Sequence, residues 1–186
     1  MTHLPHTYLL LLGGNLGNVS QTFRIATEHL SLVGMVQRTS SLYSSKAWGF
    51  ESDEIFLNQV VEIQSKLEPH DMLNATQRIE LQLGRTSKSI GGQYQSRLID
   101  IDILFCDDMI VHTERLTIPH PLLHKRRFTL VPLAEYWQAW QHPIFKTTIE
   151  QLLAQCKRLY GSIFSSHQWL TQAQPDFPKA QRLYCY

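Results

Sequence analysis

The sequence predicts an α+β fold in which helices pack on an antiparallel β-sheet. Apolar runs with strand periodicity and amphipathic helical stripes follow one another in the order strand, helix, strand, strand, helix, strand. This is the split β-α-β order of ferredoxin-like folds, with the helices expected on one face of the sheet. With 186 residues, 43% of them hydrophobic, the chain can bury one complete core. We therefore expect a single domain over 1–186, with its core at about 7–156 and a C-terminal extension of unknown role at 157–186.

The first half of the chain supplies a strand, a helix and two further strands. The apolar run 8–12 has the character of a buried strand, and Asn18 is suited to cap the helix that follows. The apolar stripe of that helix has the spacing i, i+4, i+7, i+11 and consists of Val19, Phe23, Ala26 and Leu30. Residues 35–43 and 56–63 have strand patterns, with a turn-like stretch at 44–53 between them.

A second helix begins at Pro69, which suits a first helical turn, and ends at Gly84. The positions that we assign to its patterned face are Leu73, Thr76, Gln77, Glu80, Leu81 and Leu83. Residues 85–96 are polar, lack an apolar period and predict a mobile loop. After the next strand, short extended pieces are expected at 109–111 and 116–118. A further helix is expected to start at the capping box Thr147–Glu150 and to continue through Cys156.

Residues 97–105 form a strand that carries two aspartates on one face. Its alternation places Ile99, Ile101, Ile103 and Phe105 on one side, and Leu98, Asp100, Asp102 and Leu104 on the other. The two carboxylates are then about 7 Å apart at their Cα atoms, and they repel each other unless a cation lies between them. Hard divalent cations prefer oxygen ligands. A solvated strand face is the alternative, but the aliphatic flanks predict a central strand and favour Mg²⁺.

Charge and cysteine content exclude several classes of protein. The net charge is +1, from 17 Lys and Arg against 16 Asp and Glu, so no global field attracts nucleic acid or an anionic membrane. Three separated cysteines without a Cys-x-x-Cys motif indicate reduced thiols in the cytoplasm. The apolar run at 8–12 is too short for a signal peptide or a membrane span. We expect a cytoplasmic monomer that binds small molecules, with no nucleic-acid or membrane partner.

Basic and aromatic residues around the aspartate strand suit a phosphate-bearing ligand and a planar ring. The glycine-rich turn at 13–18 lacks the lysine of a P-loop and is better explained as a tight strand-to-helix turn. Arginines on both sides of the aspartates have the layout needed to neutralise phosphates, although each one alone is an ordinary surface residue. Trp48, Phe56, Tyr94 and Phe128 could form an aromatic slot, with Asn58 reading a ring edge, although core packing also explains Phe56 and Phe128.

Several blocks, in this order, resemble one family, the 6-hydroxymethyl-7,8-dihydropterin pyrophosphokinases of folate biosynthesis. The resemblance covers about 8–132 and rests on 14–16, 40–43, 56–58, 76–85, 97–104, 116–121 and 126–128. It implies a ferredoxin-like enzyme that transfers pyrophosphate from ATP to the hydroxymethyl group of a reduced pterin and releases AMP. It also implies two Mg²⁺ ions and in-line attack of the pterin hydroxyl on the β-phosphorus.

The resemblance also implies the roles of individual residues. Asp100 and Asp102 would hold both ions, and Arg85 and Arg97 would stabilise charge in the transition state. The ATP contacts would be Gln77, Ile103, Arg115, Thr117, His120 and Arg126. The pterin pocket would be lined by Ser45, Trp48, Phe56, Asn58 and Phe128, with Tyr94 in place of a capping tryptophan.

Departures from the family pattern lie mainly in the polar loop, and two other functions stay open. The loop ends in Tyr94-Gln95-Ser96-Arg97, where the family usually has Trp-Gly-Pro-Arg, and it is about two residues longer. A Mg²⁺-dependent nucleotidyltransferase also combines a glycine-rich turn with Asp-x-Asp, but in one short hairpin, whereas here more than eighty residues separate them. RNA-recognition modules share the strand order, but their aromatic strand signature is absent.

Overall fold

A computed structural model of the chain describes residues 4–46, 55–85 and 98–160. The strands are β1 (His6–Gly14), β2 (Met35–Thr39), β3 (Tyr43–Lys46), β4 (Ile55–Ser65), β5 (Asp100–Cys106), β6 (Val111–His112) and β7 (Thr117–Ile118). The α-helices are α1 (Val19–Leu30), α2 (Pro69–Gln82), α3 (Arg127–Tyr136) and α4 (Ile149–Tyr160), and a 3-10 turn spans Leu123–Lys125.

The main sheet is antiparallel and has the strand order β2-β4-β1-β5. β3 pairs with β4 at Ile55–Asn58, and β2 pairs with the same strand at Val61–Gln64. Between them, Ser40 closes the gap, since its N–H donates to the Val60 carbonyl and its Oγ accepts from the Val60 N–H. The expected α+β, ferredoxin-like arrangement of strands and helices is confirmed. β6 and β7 form a separate two-stranded sheet.

Two apolar cores lie on the two faces of this sheet. The first contains Leu10 and Leu12 of β1 with the buried stripe of α1 and residues of α2. The second contains Leu9 and Leu11 of the same strand with residues of α3 and α4. The strand alternation of β1 therefore feeds both cores. The expectation that the helices share one face is wrong, because α3, which the sequence analysis did not identify, covers the second face together with α4.

The first two helices confirm their sequence signals. Asn18 caps α1 through its Oδ1, which accepts from the Gln21 N–H at 3.2 Å, and the predicted apolar stripe is buried. Pro69 opens α2, and the chain leaves it at Gly84, whose φ of +94° favours glycine. The assigned face of α2 is wrong in part: Leu81 is exposed, and the buried residues are Pro69, Met72, Thr76, Ile79 and Glu80.

β5 differs from its predicted form in two ways. It lies at an edge of the main sheet, not at its centre. Its apolar composition instead reflects the helices on both faces. The pairing with β1 also shifts, so that Leu9 pairs with Phe105 and Leu10 with Ile103, which leaves Leu104 as an extra residue. As a result Phe105 lies on the same face as Leu104, in the second core, whereas Ile99, Ile101 and Ile103 lie in the first as predicted.

The capping box of α4 is displaced by one residue from its predicted position. Thr148 Oγ1 accepts from the Gln151 N–H at 3.3 Å, and Gln151 Oε1 accepts from the Thr148 N–H at 3.0 Å. These reciprocal bonds are the two bonds of a capping box, and they belong to Thr148 and Gln151, not to Thr147 and Glu150.

Cys106 and Cys156 are buried and not in a disulfide. Every helix among the described residues is too short or too polar to traverse a bilayer.

Candidate active site

Asp100 and Asp102 lie on the sheet face that also carries the second core. Both are half-buried, and Ile101 and Ile103, which alternate with them, lie in the first core. The two aspartates are therefore on one face, as the alternation predicts. Leu11 of β1 pairs with Asp102, and Gly13 pairs with Asp100.

A row of three residues crosses the sheet at the end of β1. Gly13 pairs with Asn58 of β4 on one side and with Asp100 of β5 on the other. Adjacent strands are about 4.8 Å apart, so the Cα atoms of Asn58 and Asp100 are separated by about 10 Å across a residue that has no side chain. The amide of Asn58 and the carboxylate of Asp100 consequently lie on the same side of the sheet.

Arg85 connects the end of α2 to the aspartates. Its Nη1 lies 2.9 Å from Asp100 Oδ1, and the same nitrogen contacts Glu80 Oε2. Glu80 Oε1 accepts from the Ile101 N–H at 2.7 Å. A cationic group on Asp100 shows that this carboxylate lies in a place that suits a positive charge.

Glu80 is a site residue that the sequence analysis did not select. It is only 4% exposed, so it does not belong to a solvated helix face. Burial raises the pKa of the Glu80 carboxyl, while the Ile101 N–H and Arg85 favour its ionised form. Its spacing of three from Gln77 on one helix was the available signal.

His120 presents a neutral imidazole with a defined tautomer. Burial, and secondarily the charge of Arg126, lowers the pKa of His120 to about 4. Its Nδ1 accepts from the Leu122 N–H at 3.2 Å, so the ring proton is on Nε2. The His120 N–H donates to the carbonyl of Leu104, the extra residue of β5. The extra residue of β5 thus supplies the carbonyl that anchors the backbone of His120.

The remaining predicted ATP contacts are distributed over α2, β5, β7 and the segments that precede β7 and α3. Arg115 Nη2 donates to Asn74 Oδ1 at 2.9 Å, one helical turn before Gln77. The Arg126 guanidinium lies 5.6 Å from the Phe128 ring centroid, and Thr117 is in β7, which contacts β5. Ile103 has its side chain in the first core, so only its backbone is suited to contact a ligand.

A cleft between β3, β4 and α3 contains much of the predicted pterin pocket. It is lined by Tyr43, Ser44, Asn58, Arg127, Phe128, Val131 and Pro132. Asn58 Nδ2 donates to Ser45 Oγ at 2.9 Å, which orients the amide. Phe56 projects from the same face of β4 two residues before Asn58. The structure therefore brings Asn58 and Phe128 to one cleft, with Ser45 holding Asn58.

A half-buried set of hydrogen bonds holds α3 against this cleft. Glu135 accepts from the Ser41 N–H at 2.7 Å, from Ser41 Oγ at 2.9 Å and from Tyr43 Oη at 3.1 Å. These bonds fix α3 to the segment that leads into β3, and so they set the width of the cleft beside Phe128.

Arg97, Trp48 and Tyr94 lie outside the described residues, and their assigned roles stay predictions.

The donor set fits a divalent cation. Two half-buried carboxylates on one strand face supply hard oxygen ligands, and Asp100 already accepts a cationic group.

A second cluster, His6, Cys106 and Asp107, lies at the other end of β5. There Asp107 Oδ2 is 2.8 Å from His6 Nδ1 and Oδ1 accepts from the Thr7 N–H. The direct His6–Asp107 bond leaves no space for an ion between those two atoms.

Comparison with known sequences finds a family match over most of the described chain. Residues 9–138 match the family described as 7,8-dihydro-6-hydroxymethylpterin-pyrophosphokinase (HPPK). A relative from Porphyromonas gingivalis, named 2-amino-4-hydroxy-6-hydroxymethyldihydropteridine pyrophosphokinase, is 44% identical over 136 residues, which are 72% of this chain and 92% of the relative. A relative of the same name from Aquifex aeolicus is 36% identical over 145 residues, 78% of this chain and 89% of the relative.

Solved structures share the fold. A Plasmodium falciparum HPPK-DHPS wild-type crystal structure superposes with a TM-score of 0.68 at 16% sequence identity, covering 88% of this chain and 47% of that chain. A crystal structure of HPPK-DHPS in complex with substrates gives a TM-score of 0.67 at 15% identity, covering 90% of this chain and 46% of that chain. The chain thus spans about half the length of these solved proteins.

Proposed function

The chain belongs to the 7,8-dihydro-6-hydroxymethylpterin-pyrophosphokinase family, and on that premise we propose how its residues share the work of pyrophosphoryl transfer. It transfers pyrophosphate from ATP to the hydroxymethyl group of 6-hydroxymethyl-7,8-dihydropterin, releasing AMP, in folate biosynthesis. ATP is the co-substrate.

We propose that Asp100 and Asp102 hold two Mg²⁺ ions. Their common strand face and partial burial support this assignment. When bound, the ions supply charge neutralisation on the triphosphate and lower the pKa of the attacking hydroxyl. Arg85, which now contacts Asp100, would then offer its guanidinium to phosphate oxygens.

The ATP contacts are assigned to the groups beside β5 and on α2. His120 donates from Nε2 and stays neutral, so it adds a hydrogen bond to a phosphate oxygen without a change of charge. The remaining proposed contacts are Gln77, the backbone of Ile103, Arg115, Thr117 and Arg126, with Arg97 as a second transition-state arginine.

The pterin is assigned to the cleft beside Asn58 and Phe128. The Asn58 amide, held by Ser45, would bond the edge of the ring, and Phe128 would pack on its face, with Phe56, Trp48 and Tyr94 completing the pocket. The single observation that supports this best is the row Asn58–Gly13–Asp100. It brings the ring-binding amide and a metal carboxylate to about 10 Å at their Cα atoms, a span that a hydroxymethyl pterin and a phosphate can bridge.

The mechanism that we propose is in-line attack of the pterin hydroxyl on the β-phosphorus of ATP. The bond between that phosphorus and the oxygen leading to the α-phosphorus breaks, and AMP leaves. Among the described residues, we assign no side chain as general base. Positioning by the cleft, and neutralisation by arginines and His120, would supply most of the acceleration.

We also propose that the enzyme acts in the cytoplasm as a single-domain monomer on small-molecule substrates. The buried, unbridged Cys106 and Cys156 suit a reducing compartment. A net charge of +1 gives no attraction for nucleic acid or anionic lipid.

The test is incubation with ATP, Mg²⁺ and the reduced pterin alcohol, followed by nucleotide chromatography. We expect AMP and the pterin pyrophosphate, whereas a nucleotidyltransferase would release inorganic pyrophosphate. Asp102→Asn should lower turnover by about 100-fold or more, because one metal carboxylate is lost. Asp108→Asn is the matched control: Asp108 is exposed in the turn after β5, and its variant should keep normal turnover. Normal turnover in Asp102→Asn would contradict the metal assignment.

A further inference from the structure

Glu80 uses its two carboxylate oxygens for two different parts of the site. Oε1 accepts from the Ile101 N–H at 2.7 Å, and Oε2 contacts the Arg85 guanidinium. The residue is 4% exposed and projects from α2, whereas both partners lie beyond that helix. A buried carboxylate is costly unless such partners compensate it, so this placement is maintained by these two contacts.

The first contact acts on the strand that carries the aspartates. β5 is an edge strand in the order β2-β4-β1-β5, so its outer N–H groups lack the ladder partner of a central strand. Ile101 is the residue between Asp100 and Asp102, and Glu80 supplies the acceptor for its outer N–H. Fixing this one peptide fixes the direction in which both neighbouring side chains leave the strand.

The second contact acts on the arginine beside the aspartates. Arg85 Nη1 is shared between Glu80 and Asp100. Its buried Nε has no hydrogen-bond partner among residues 4–46, 55–85 and 98–160. If Asp100 were to hold a cation, Arg85 would give up that partner, whereas Glu80 would still hold the guanidinium at the edge of the site.

We propose that Glu80 is a positioning residue that keeps the Asp100–Asp102 strand and Arg85 in one arrangement before and after cation binding. The inference rests on the proposed function, since it assumes that Asp100 and Asp102 bind the cation. It assigns no direct contact between Glu80 and substrate. In this role, one buried side chain couples the geometry of the carboxylates to the position of the arginine that we assign to the phosphates.

Two substitutions separate positioning from a merely structural role. Glu80→Gln keeps an oxygen that accepts from the Ile101 N–H but removes the charge that holds Arg85. Glu80→Ala removes both contacts. Glu62→Gln is the matched control, because Glu62 Oε2 also accepts an N–H, from Trp137 Nε1 at 2.8 Å, far along the sheet from the aspartates.

The readouts are amide hydrogen exchange at Ile101, measured without substrates, and steady-state kinetics. We expect Glu80→Gln to keep Ile101 protection within about threefold of the parent and to lower kcat by about 10- to 100-fold, with the KM for the pterin changed by less than about threefold. Glu80→Ala should lose Ile101 protection and kcat together. Glu62→Gln should match the parent in both measurements.

Parent-like kcat in Glu80→Gln would overturn the proposal, and so would a loss of kcat that comes with equal loss of pterin binding and of Ile101 protection. If Glu80→Ala does not fold, the Glu80→Gln result alone decides. The Asp102→Asn variant, assayed in parallel, keeps the two proposals apart. Loss of AMP release there with normal Glu80→Gln leaves the metal assignment standing and overturns the role of Glu80, whereas normal AMP release there removes the metal assignment on which that role rests.

Discussion

Gly13 occupies a position at which the protein itself would accept a larger side chain. Its φ lies outside the left-handed region, and an added Cβ would come no closer than 3.8 Å to another group, Asn58 Oδ1. Backbone conformation and packing therefore do not explain the glycine. Its place in the row between Asn58 and Asp100 does, because a methyl group there would fill the floor on which we propose that the pterin hydroxymethyl and the triphosphate meet.

We expect Gly13→Ala to preserve the fold and impair the reaction. Alanine in a strand is favoured over glycine by about 0.5–1 kcal/mol, so the free energy of unfolding should be unchanged or slightly higher. The added methyl displaces the reacting groups, and kcat/KM should fall by about 10- to 100-fold. Chemical denaturation and steady-state kinetics on the same preparation measure the two effects.

Gly14→Ala provides the opposite case. A Cβ at Gly14 would lie 2.7 Å from the backbone carbonyl oxygen of Leu98, which cannot move aside cheaply. That variant should lose stability, by about 1–3 kcal/mol. If Gly13→Ala has normal kinetics, the floor between Asn58 and Asp100 is not where the substrates meet.

At the scale of the element, the start of α4 depends on Thr148 rather than on its neighbour. Thr148 and Gln151 exchange two hydrogen bonds, whereas the buried Thr147 Oγ1 has no hydrogen-bond partner among the described residues. Thr148→Ala should lower the free energy of unfolding by about 1 kcal/mol, the usual cost of losing an N-cap. Thermal or urea unfolding monitored by circular dichroism measures the change.

Thr147→Ala is the matched control for the cap. It removes a hydroxyl that caps nothing, so the change in unfolding free energy should stay below about 0.5 kcal/mol. An effect of Thr147→Ala as large as that of Thr148→Ala would show that the predicted box, Thr147–Glu150, is the one that operates.

The same element shows what the sequence can and cannot determine. Local signals located the starts of α1, α2 and α4 to within two residues, since a cap or proline acts through bonds inside a few residues, but they did not reveal α3. The Thr-Thr pair at 147 and 148 left the cap ambiguous, because both hydroxyls satisfy the pattern and only the path of the incoming chain selects one.

β5 illustrates the limit for strands. Alternation correctly predicted that Asp100 and Asp102 share a face, and this was enough to locate the candidate metal site. It placed Phe105 on the wrong face because nothing in the residues reveals the extra position at Leu104, which is set by pairing with β1. It also predicted a central strand, because an edge strand covered on both faces has the same apolar composition.

Among the site residues, too, those marked by residue type were found from the sequence, and those defined by tertiary contacts were not. Asn58 and Phe128 were proposed from residue type as parts of an aromatic slot, the family resemblance assigned them to the pterin pocket, and the structure brings them to one cleft. Glu80 was named on the patterned face of α2 but not assigned to the site, because its partners, the Ile101 N–H and Arg85, are joined to it by tertiary packing and not by a helical spacing.

At the scale of the whole molecule, buried histidines make stability depend on pH. His142 lies between α3 and α4, is 2% exposed and stacks on Phe145 with ring centroids 4.3 Å apart. Its Nδ1 accepts from the N–H groups of Ile144 at 3.2 Å and Phe145 at 3.3 Å, which requires the unprotonated nitrogen. Burial, and secondarily His124, lowers the pKa of His142 from 6.5 to about 4.

The sign of the pH effect follows from proton uptake. Between pH 6.5 and about 4 the unfolded chain holds a proton on this histidine that the folded chain does not, so the free energy of unfolding falls as the pH is lowered through that window. The loss attributable to one such group is at most about 3 kcal/mol. His120, with its pKa lowered to about 4 as well, adds in the same direction.

His142→Asn isolates this contribution, because the asparagine Oδ1 can accept the same two N–H bonds and does not titrate. We expect the variant to lose less stability than the parent between pH 6.5 and 4, with the two curves parallel above pH 7, in urea unfolding at closely spaced pH values. His6→Gln is the informative contrast. The hydrogen bond to Asp107 raises the pKa of His6, so its contribution is present at low pH and is lost as the pH rises above 6.5. Equal acid sensitivity of His142→Asn and the parent would mean that protonation of His142 does not oppose folding, and the packing of the α3–α4 connection on the second core would then need another account.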